Sequence, residues 1–236
     1  MDNLNFNTLT EKWAFCSREE IPWHKKGQIK KGYQTSEEVI IDAQLNCFVG
    51  KLPNTHKLPD GTKVISENSF FTYRTDSNVI LGDKIGPDYT VVQNRDAFRW
   101  FDELAGKQNI KYETAGALGK GGRIFITAKL PSHIKVGGKD VSEMYLFMTI
   151  SHDGSGSIVI GLTPIRIVCN NTLTMALKSC TTSVKLRHTP NVKQHLNDAA
   201  RVLKMIISLQ HEISALQHYV SFSEAIMVGV KDLYTQ

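Results

Sequence analysis

Four strand-like segments follow one another between residues 111 and 169. They are rich in β-branched and aromatic residues: Lys111–Leu118, Arg123–Leu130, Glu143–Ser151 and Ile158–Cys169, the last with a break at Pro164. Gly119–Gly122 and Asp153-Gly154 are typical of hairpin turns between such segments. Strands that are joined by short turns pair in antiparallel fashion. This stretch therefore constrains the chain to a fold built on an antiparallel sheet.

The rest of the chain predicts helices before, between and after further short strands. Additional strands are predicted at Cys47–Leu52, Val64–Tyr73, Val79–Leu81 and Tyr89–Val92, with a turn-rich loop at Asn54–Gly61. Helices are predicted at Ser36–Leu45, Arg95–Ala105, Thr172–Lys178 and Asn191–Val220. This order predicts an α+β fold, with a mostly antiparallel curved sheet, one inserted helix and helices at the C-terminal end.

The length of 236 residues, 41% of them hydrophobic, fits one large domain or two small ones. We expect residues 1–60, an N-terminal segment that is irregular and polar over residues 1–34, to pack on an α+β core domain at residues 61–190. We expect residues 191–236 to form a separate C-terminal helical region. The apolar stripe of its long helix either packs on the chain's own sheet or joins copies into a homo-oligomer.

Composition excludes some classes of protein. No apolar run reaches the roughly 18 residues that a membrane span needs, and the N-terminus lacks the features of a secretory signal. We therefore expect no membrane association and a cytoplasmic location, in a bacterial host. The four cysteines have no CxxC or zinc-finger spacing, so free thiols are expected, and Cys169 resembles a small buried apolar residue.

The sequence predicts neither a metal site, nor a cofactor, nor a catalytic residue. The histidines lack the short spacings of chelating pairs. Ser151, His152 and Asp153 have the residue types of a triad, but neighbours along a strand point to opposite faces and cannot form a relay. Carboxylates are too sparse at strand ends for a two-metal nuclease.

Polar residues nevertheless interrupt the apolar runs of residues 151–173, where core packing alone would not require them. They are His152, Asp153, Arg166, Asn170 and Asn171. Such side chains at strand ends are typical of a binding surface. Arg166 has two interpretations: an ion pair with Asp153 or Glu113, or a planar fork that binds a phosphate.

A second candidate surface is basic. Lys25, Lys26, Lys30 and Lys31 lie beside Trp23, His24 and Tyr33, and Arg187 and His188 add positive charge near Asn170 and Asn171. Amines that meet phosphates, beside rings that stack on bases, suit a nucleic-acid strand. The alternative is that these charged side chains form an ordinary solvent-exposed face that binds no ligand. We expect Trp23 and His24 to pack against residues 151–172, so that the two surfaces form one site.

Several motifs together resemble an uncharacterised phage/plasmid-like protein family. They are Pro22-Trp23-His24-Lys25-Lys26-Gly27, Tyr89–Asn94, Thr114–Leu118, Ser151–Ser155, Thr163–Leu173 and Arg187-His188-Thr189. The resemblance implies a bacteriophage or mobile-element setting and brings no established activity. Lys25-Lys26 stand where the family pattern has Gly-Leu, which adds charge here.

Three functions remain open at this point. The first is non-enzymatic binding of single-stranded nucleic acid in phage or plasmid DNA metabolism, because the element order is similar to that of phage single-strand annealing proteins. The second is a pocket for a nucleotide or another small ligand, either sequestering or enzymatic, built from the polar residues of 151–173. The third is a phage protein that binds a host protein to counter defence.

Overall fold

The computed structural model describes residues 2–32, 35–105, 111–130, 143–180 and 182–205. In chain order the strands are β1 (Phe6–Asn7), β2 (Lys12–Trp13), β3 (Phe15–Arg18), β4 (Gln28–Lys30), β5 (Val49–Lys57), β6 (Lys63–Arg74), β7 (Ile80–Ile85), β8 (Lys111–Leu118), β9 (Arg123–Lys129), β10 (Tyr145–Ser151), β11 (Ile158–Thr163) and β12 (Thr182–Leu186). The helices are α1 (Ser36–Asp42), α2 (Asn94–Ala105), α3 (Asn170–Ser179) and α4 (192–205).

The main sheet has seven strands in the order β12-β11-β10-β9-β8-β3-β4. Its neighbours pair antiparallel except for β3 and β4, which run parallel. The predicted hairpin at Gly119–Gly122 is confirmed, with Leu118 paired to Arg123. The predicted α+β class with a mostly antiparallel sheet is therefore confirmed.

Alternation along the central strands fills two cores, one on each face of this sheet. On one face, Ile124 and Ile126 of β9 belong to a buried cluster with residues of α1, α2 and α4. On the other face, Phe125 and Phe147 pack in a cluster with Leu173 of α3 and with Cys169, which is buried as predicted. With helices against both faces, the sheet presents mainly its ends and the turns between its strands to solvent.

A smaller sheet has the order β5-β6-β7. β7 pairs with β6 only between Phe70 and Tyr73. The pairing of β5 with β6 then shifts register: Pro53 pairs with Phe70, whereas Thr55 pairs with Ile65. Residues 66–69 therefore form a bulge in β6. The hairpin beyond the bulge, residues 55–65, is called the ribbon arm below.

Several predicted elements differ from the structure. Asn54–Gly61 is not all loop, because β5 continues to Lys57; proline is tolerated within β5 because that strand lies at a sheet edge. Ile158–Cys169 is a strand only as far as Thr163. The N-terminal segment is not irregular throughout, since β3 and β4 extend the main sheet.

Tyr89–Val92 is not a strand either. Its backbone groups have single partners in place of a ladder: the Thr90 amide donates to the His188 carbonyl oxygen, and the Lys51 amino group donates to the Tyr89 carbonyl oxygen. The β-branched and aromatic composition of this segment reflects burial at a junction of several elements, a role that local composition cannot distinguish from a strand.

The helices predicted near residues 36, 95 and 172 are present, and the described part of the predicted helix Asn191–Val220 is helical over 192–205. The remainder of that helix, and with it most of the expected homo-oligomer surface, lies outside the described residues. Within the described ranges no helix has the length and apolar character needed to cross a bilayer.

Gly82 provides a test of how β7 meets the turn after β10. A Cβ at Gly82 would lie 2.5 Å from the Asp153 carbonyl oxygen, whereas a Cβ at Gly86 would have no atom within 4 Å. We predict that Gly82→Ala lowers the free energy of unfolding by about 1–3 kcal/mol through overpacking, as measured by urea denaturation. Gly86→Ala is the matched control, and equal effects of the two substitutions would contradict the close approach.

Candidate functional site

Two turns at one end of the main sheet enclose a polar cavity of about 260 Å³. One turn joins β8 to β9, the other joins β10 to β11, and the N-terminus of α3 lies beside them. We call this cavity the turn pocket. Its lining comprises Asn3, Leu81, Leu118, Gly119, Lys120, Gly122, Arg123, Asp153, Ser155 and Asn170. Two of the predicted site residues, Asp153 and Asn170, are therefore brought together here.

The N-terminal residues hold the β8–β9 turn and α3 in place. The Asn3 carbonyl oxygen accepts a 2.8 Å hydrogen bond from the Gly119 amide, and the Asp2 carbonyl oxygen accepts a 3.0 Å bond from the Asn170 amide. Gly119 and Gly121 have φ values of 61° and 91°, which side-chain-bearing residues rarely adopt. The glycines therefore allow a tight turn that places Lys120 and Arg123 at the pocket.

The positive charges of the turn pocket lack carboxylate partners. Arg123 Nε donates to Ser151 Oγ at 3.2 Å, and neither Arg123 nor Lys120 has an ion pair with any residue that the structure describes. An arginine fork can donate two parallel hydrogen bonds to a phosphate or carboxylate. The N-terminus of α3 at Asn170 adds a positive partial charge on the same side. The pocket is thus suited to an anionic group.

Asp153 contributes the opposite charge. Its Oδ1 accepts hydrogen bonds from the Ser155 amide at 2.9 Å and from Ser155 Oγ at 2.7 Å. Gly154, with φ of 73°, completes the turn. Within the described part of the chain, Oδ2 has no hydrogen-bond partner, so it can accept a hydrogen bond from a ligand hydroxyl or amine.

His152 lies beside Asp153 in sequence but is 1% exposed and does not line the pocket. Asn94 Nδ2 donates to the Leu45 carbonyl oxygen, so Asn94 Oδ1 must accept the 2.7 Å hydrogen bond from His152 Nε2. The Thr72 hydroxyl donates to the His152 carbonyl oxygen at 2.6 Å. Burial lowers the pKa of His152 to about 3, so this imidazole is neutral.

His188, also predicted as a site residue, is buried next to the same elements. Its ring stacks on Tyr89 at a centroid distance of 4.5 Å, and Nδ1 lies 3.1 Å from the Thr90 carbonyl oxygen. The Tyr89 hydroxyl donates to the Ser151 carbonyl oxygen at 2.8 Å. Burial lowers the pKa of His188 as well. We call His152, His188, Asn94 and Tyr89 the histidine joint, which fixes the end of β10.

The N-terminal basic segment contacts residues 151–172 as predicted. The Lys26 amide donates to His24 Nδ1, which leaves His24 Nε2 to donate to the Val168 carbonyl oxygen at 3.1 Å. Trp23 remains 66% exposed. Lys25 has φ of 53°, a left-handed conformation that residues other than glycine rarely adopt.

Two of the four predicted lysines of this region, Lys26 and Lys30, are paired with carboxylates within the molecule. Lys26 Nζ lies 2.7 Å from Asp2 and 4.0 Å from the centre of the Trp13 ring, and Lys30 Nζ lies 2.6 Å from Asp42. Tyr33 lies outside the described residues. The segment is therefore less basic in the structure than its sequence indicates.

Arg166 makes a structural ion pair, the first of its two predicted interpretations. It lies after β11, not within a strand. Nε donates to Glu113 at 2.7 Å, Nη2 donates to Ser17 Oγ at 2.7 Å, and Nη1 lies 3.3 Å from Glu20. Burial raises the pKa of Glu113 even though Arg166 acts to lower it. All three guanidinium nitrogens thus have partners.

Asn171 and Arg187 are exposed and do not line the turn pocket. Four polar side chains that do line it were not predicted from the sequence: Asn3, Lys120, Arg123 and Ser155. The available signal was the placement of Lys120 and Arg123 around three glycines in one hairpin turn. No group of three His, Cys, Asp or Glu side chains that could hold a metal ion occurs among the described residues.

The histidine joint predicts a pH dependence of stability. The pKa of His152 is lowered from 6.5 to about 3 and that of His188 is also lowered, so the unfolded chain binds more protons below pH 6.5. The contribution of these two histidines to the free energy of unfolding is therefore fully present above pH 6.5. It falls as the pH decreases below that value, by up to about 1.4 kcal/mol per pH unit for each histidine.

His152→Gln isolates one of these contributions. Glutamine keeps an N–H donor for Asn94 but does not titrate. We predict a shallower loss of unfolding free energy between pH 6.5 and about 5 than in the wild type. Urea denaturation across this range measures the slope, and His56→Gln, on the exposed ribbon arm, is the control. An identical slope in the wild type and His152→Gln would contradict the assignment.

Arg166→Lys tests the structural ion pair. Lysine keeps the charge but cannot reach Glu113 and Ser17 together with a planar fork. We predict that the free energy of unfolding falls by about 1–3 kcal/mol, since buried polar partners lose charge-assisted hydrogen bonds. Arg187→Lys, at an exposed position, should change it little. An unchanged stability of Arg166→Lys in urea denaturation would show that these contacts contribute little to folding.

Comparison with known proteins gives one result. Residues 83–222 match the family described as Domain of unknown function (DUF932). No curated protein and no solved structure gives a significant match. The matched residues include α2, the strands β8 to β12 and α3, and with them most of the turn pocket and the histidine joint. Because the match covers more than half of the sequence, the chain belongs to the DUF932 family.

Proposed function

We propose that this protein binds a small phosphorylated ligand, a mononucleotide, in the turn pocket. The observation that carries the proposal is that two cations, Lys120 and Arg123, line a cavity beside the N-terminus of α3 and form no ion pair with any described residue. A half-buried cation that serves only folding is normally paired, as Arg166 is here with Glu113, whereas the half-buried Arg123 and the exposed Lys120 have no such pair among the described residues. Lys120 and Arg123 are instead available to a ligand.

The chemistry of the lining supports a nucleotide more than a bare anion. A phosphate would meet Arg123 and Lys120, while Asp153 Oδ2 would repel an anion but accept a hydrogen bond from a sugar hydroxyl or a base amino group. The side-chain amides of Asn3 and Asn170 can each donate and accept hydrogen bonds. The cavity of about 260 Å³ lies near the lower limit of ordinary ligand pockets, which favours a mononucleotide over a larger cofactor.

Single-strand binding by the N-terminal basic segment stays a prediction that the structure supports less well. Lys26 and Lys30 already have carboxylate partners in Asp2 and Asp42, so a nucleic-acid strand would have to displace them. The exposed Trp23 ring beside Lys25 is the remaining feature that favours it. The phage or plasmid setting also stays a prediction, and it is compatible with either ligand.

The test is calorimetric titration of the whole protein with 5′-mononucleotides, with inorganic phosphate and with the corresponding nucleosides. We predict that nucleotides bind, that phosphate competes with them, and that nucleosides bind far more weakly. Arg123→Gln should weaken nucleotide binding about 10-fold to 100-fold, the usual contribution of a hydrogen bond to a charged group. Lys120→Gln should weaken it less, because a flexible exposed lysine contributes less than an arginine fork.

Lys178→Gln is the matched control, because Lys178 lies in the last turn of α3, at the end opposite the pocket. Its nucleotide affinity should equal that of the wild type. Unaltered affinity in Arg123→Gln would reject the turn pocket as the site. If a variant with glutamine at positions 25, 26, 30 and 31 lost single-strand affinity while mononucleotides did not bind the wild type, the function would belong to the N-terminal segment.

A further inference from the structure

The ribbon arm, residues 55–65, lies beyond the part of the small sheet that three strands share. Its ladder consists of the pairs Thr55 with Ile65, His56 with Val64 and Lys57 with Lys63. β7 pairs with no residue of the arm. Leu58, Val64 and Ile65 are 43%, 45% and 64% exposed. A two-stranded ribbon with exposed apolar side chains is marginally stable in water, so the arm is suited to rest on a partner.

One face of the arm carries an unusual pair of charges. Side chains alternate along a strand, so Thr55, Lys57, Lys63 and Ile65 share a face, and these four line a groove of about 560 Å³. Lys57 and Lys63 are directly opposite each other, and neither has an ion pair with any residue in the described ranges. Like charges in this position destabilise a ribbon.

An anion bound between the two ammonium groups would convert that repulsion into attraction. The acidic residues of this region do not line the groove: Asp60 lies in the turn, where its Oδ1 accepts from the Thr62 amide, and Glu67 lies in the bulge. The positive charge is thus concentrated on one face. This face is complementary to a surface with closely spaced negative charges, such as a phosphate backbone.

We propose that the ribbon arm docks on duplex DNA, with Lys57 and Lys63 contacting backbone phosphates. The major groove of B-form DNA admits a two-stranded β-ribbon. Residues 54–69 contain no phenylalanine, tyrosine or tryptophan, so the arm has no stacking platform of the kind that single strands require. Binding of this type is independent of base sequence, because amine-to-phosphate contacts carry no sequence information. It does not depend on the mononucleotide pocket.

The experiment is fluorescence anisotropy of a short labelled duplex with the full chain over a series of salt concentrations. We expect Lys57→Gln/Lys63→Gln to weaken duplex affinity about tenfold or more at low salt, and the slope of log affinity against log salt to flatten by about 1.8, as for two lost phosphate contacts. The matched control is Lys12→Gln/Lys178→Gln, which removes two exposed lysines elsewhere and should stay within about twofold of the wild type.

Lys63→Glu separates binding from stability. It places a carboxylate opposite Lys57, so the melting temperature should rise or stay unchanged while duplex affinity falls. Arg123→Gln should leave duplex affinity unchanged, which distinguishes this surface from the turn pocket. The proposal is overturned if the wild type does not bind duplex, or if the double variant binds it as well as the control does. It is also overturned if the arm lysines affect binding of a single strand or of polyglutamate more than binding of the duplex.

Discussion

The buried hydrogen bond between His152 Nε2 and Asn94 Oδ1 connects the parts of this molecule on which the candidate site depends. His152 follows β10 directly, and Asn94 begins α2. Asn94 also binds the Leu45 carbonyl oxygen, and the Thr72 hydroxyl binds the His152 carbonyl oxygen, so the small sheet is attached at the same point. His152 Nε2 donates to Asn94 Oδ1, and burial keeps this imidazole neutral.

This attachment fixes the turn that follows. With His152 held in the interior, Asp153 is directed to the end of the sheet, where Gly82 of β7 packs against its backbone. The antiparallel register between Ser151 and Arg123 brings the other turn to the same end. The turn pocket is therefore a consequence of strand register and of two glycine-containing turns. Within the described residues its two cations, Lys120 and Arg123, have no ion pair, and Arg123 donates only to the Ser151 hydroxyl.

Much of the fold could be predicted from the sequence, because alternation in β8 to β11 and the glycines at residues 119–122 indicate antiparallel strands directly. The irregular backbone of Tyr89–Val92 could not be predicted. The strand-like composition of this segment arises because Tyr89 packs against His188, which is distant in sequence. His152 and Asp153 were both predicted as site residues, yet only Asp153 lines the pocket. The identity of adjacent residues does not show which of them faces the core.

Pairing of charges was the least predictable feature. Lys26, Lys30 and Arg166 have partners in Asp2, Asp42 and Glu113, each of which lies well away in sequence, so only the fold reveals that these cations are engaged. Lys120 and Arg123 could not be recognised as site residues from the sequence, since a glycine-rich turn between two strands indicates only a hairpin. Their importance comes from α3 and the second turn, which tertiary structure alone brings beside them.

The most direct test of the account is titration of the isotopically labelled protein with a 5′-mononucleotide, followed by amide chemical shifts in two-dimensional NMR. A nucleotide bound in the turn pocket should give saturable shifts concentrated at residues 119–123, 153–155 and 170–171, with the ribbon arm and residues 23–31 unaffected. Shifts confined to residues 23–31, or an absence of saturable shifts at the two turns, would contradict the assignment of the turn pocket as the ligand site.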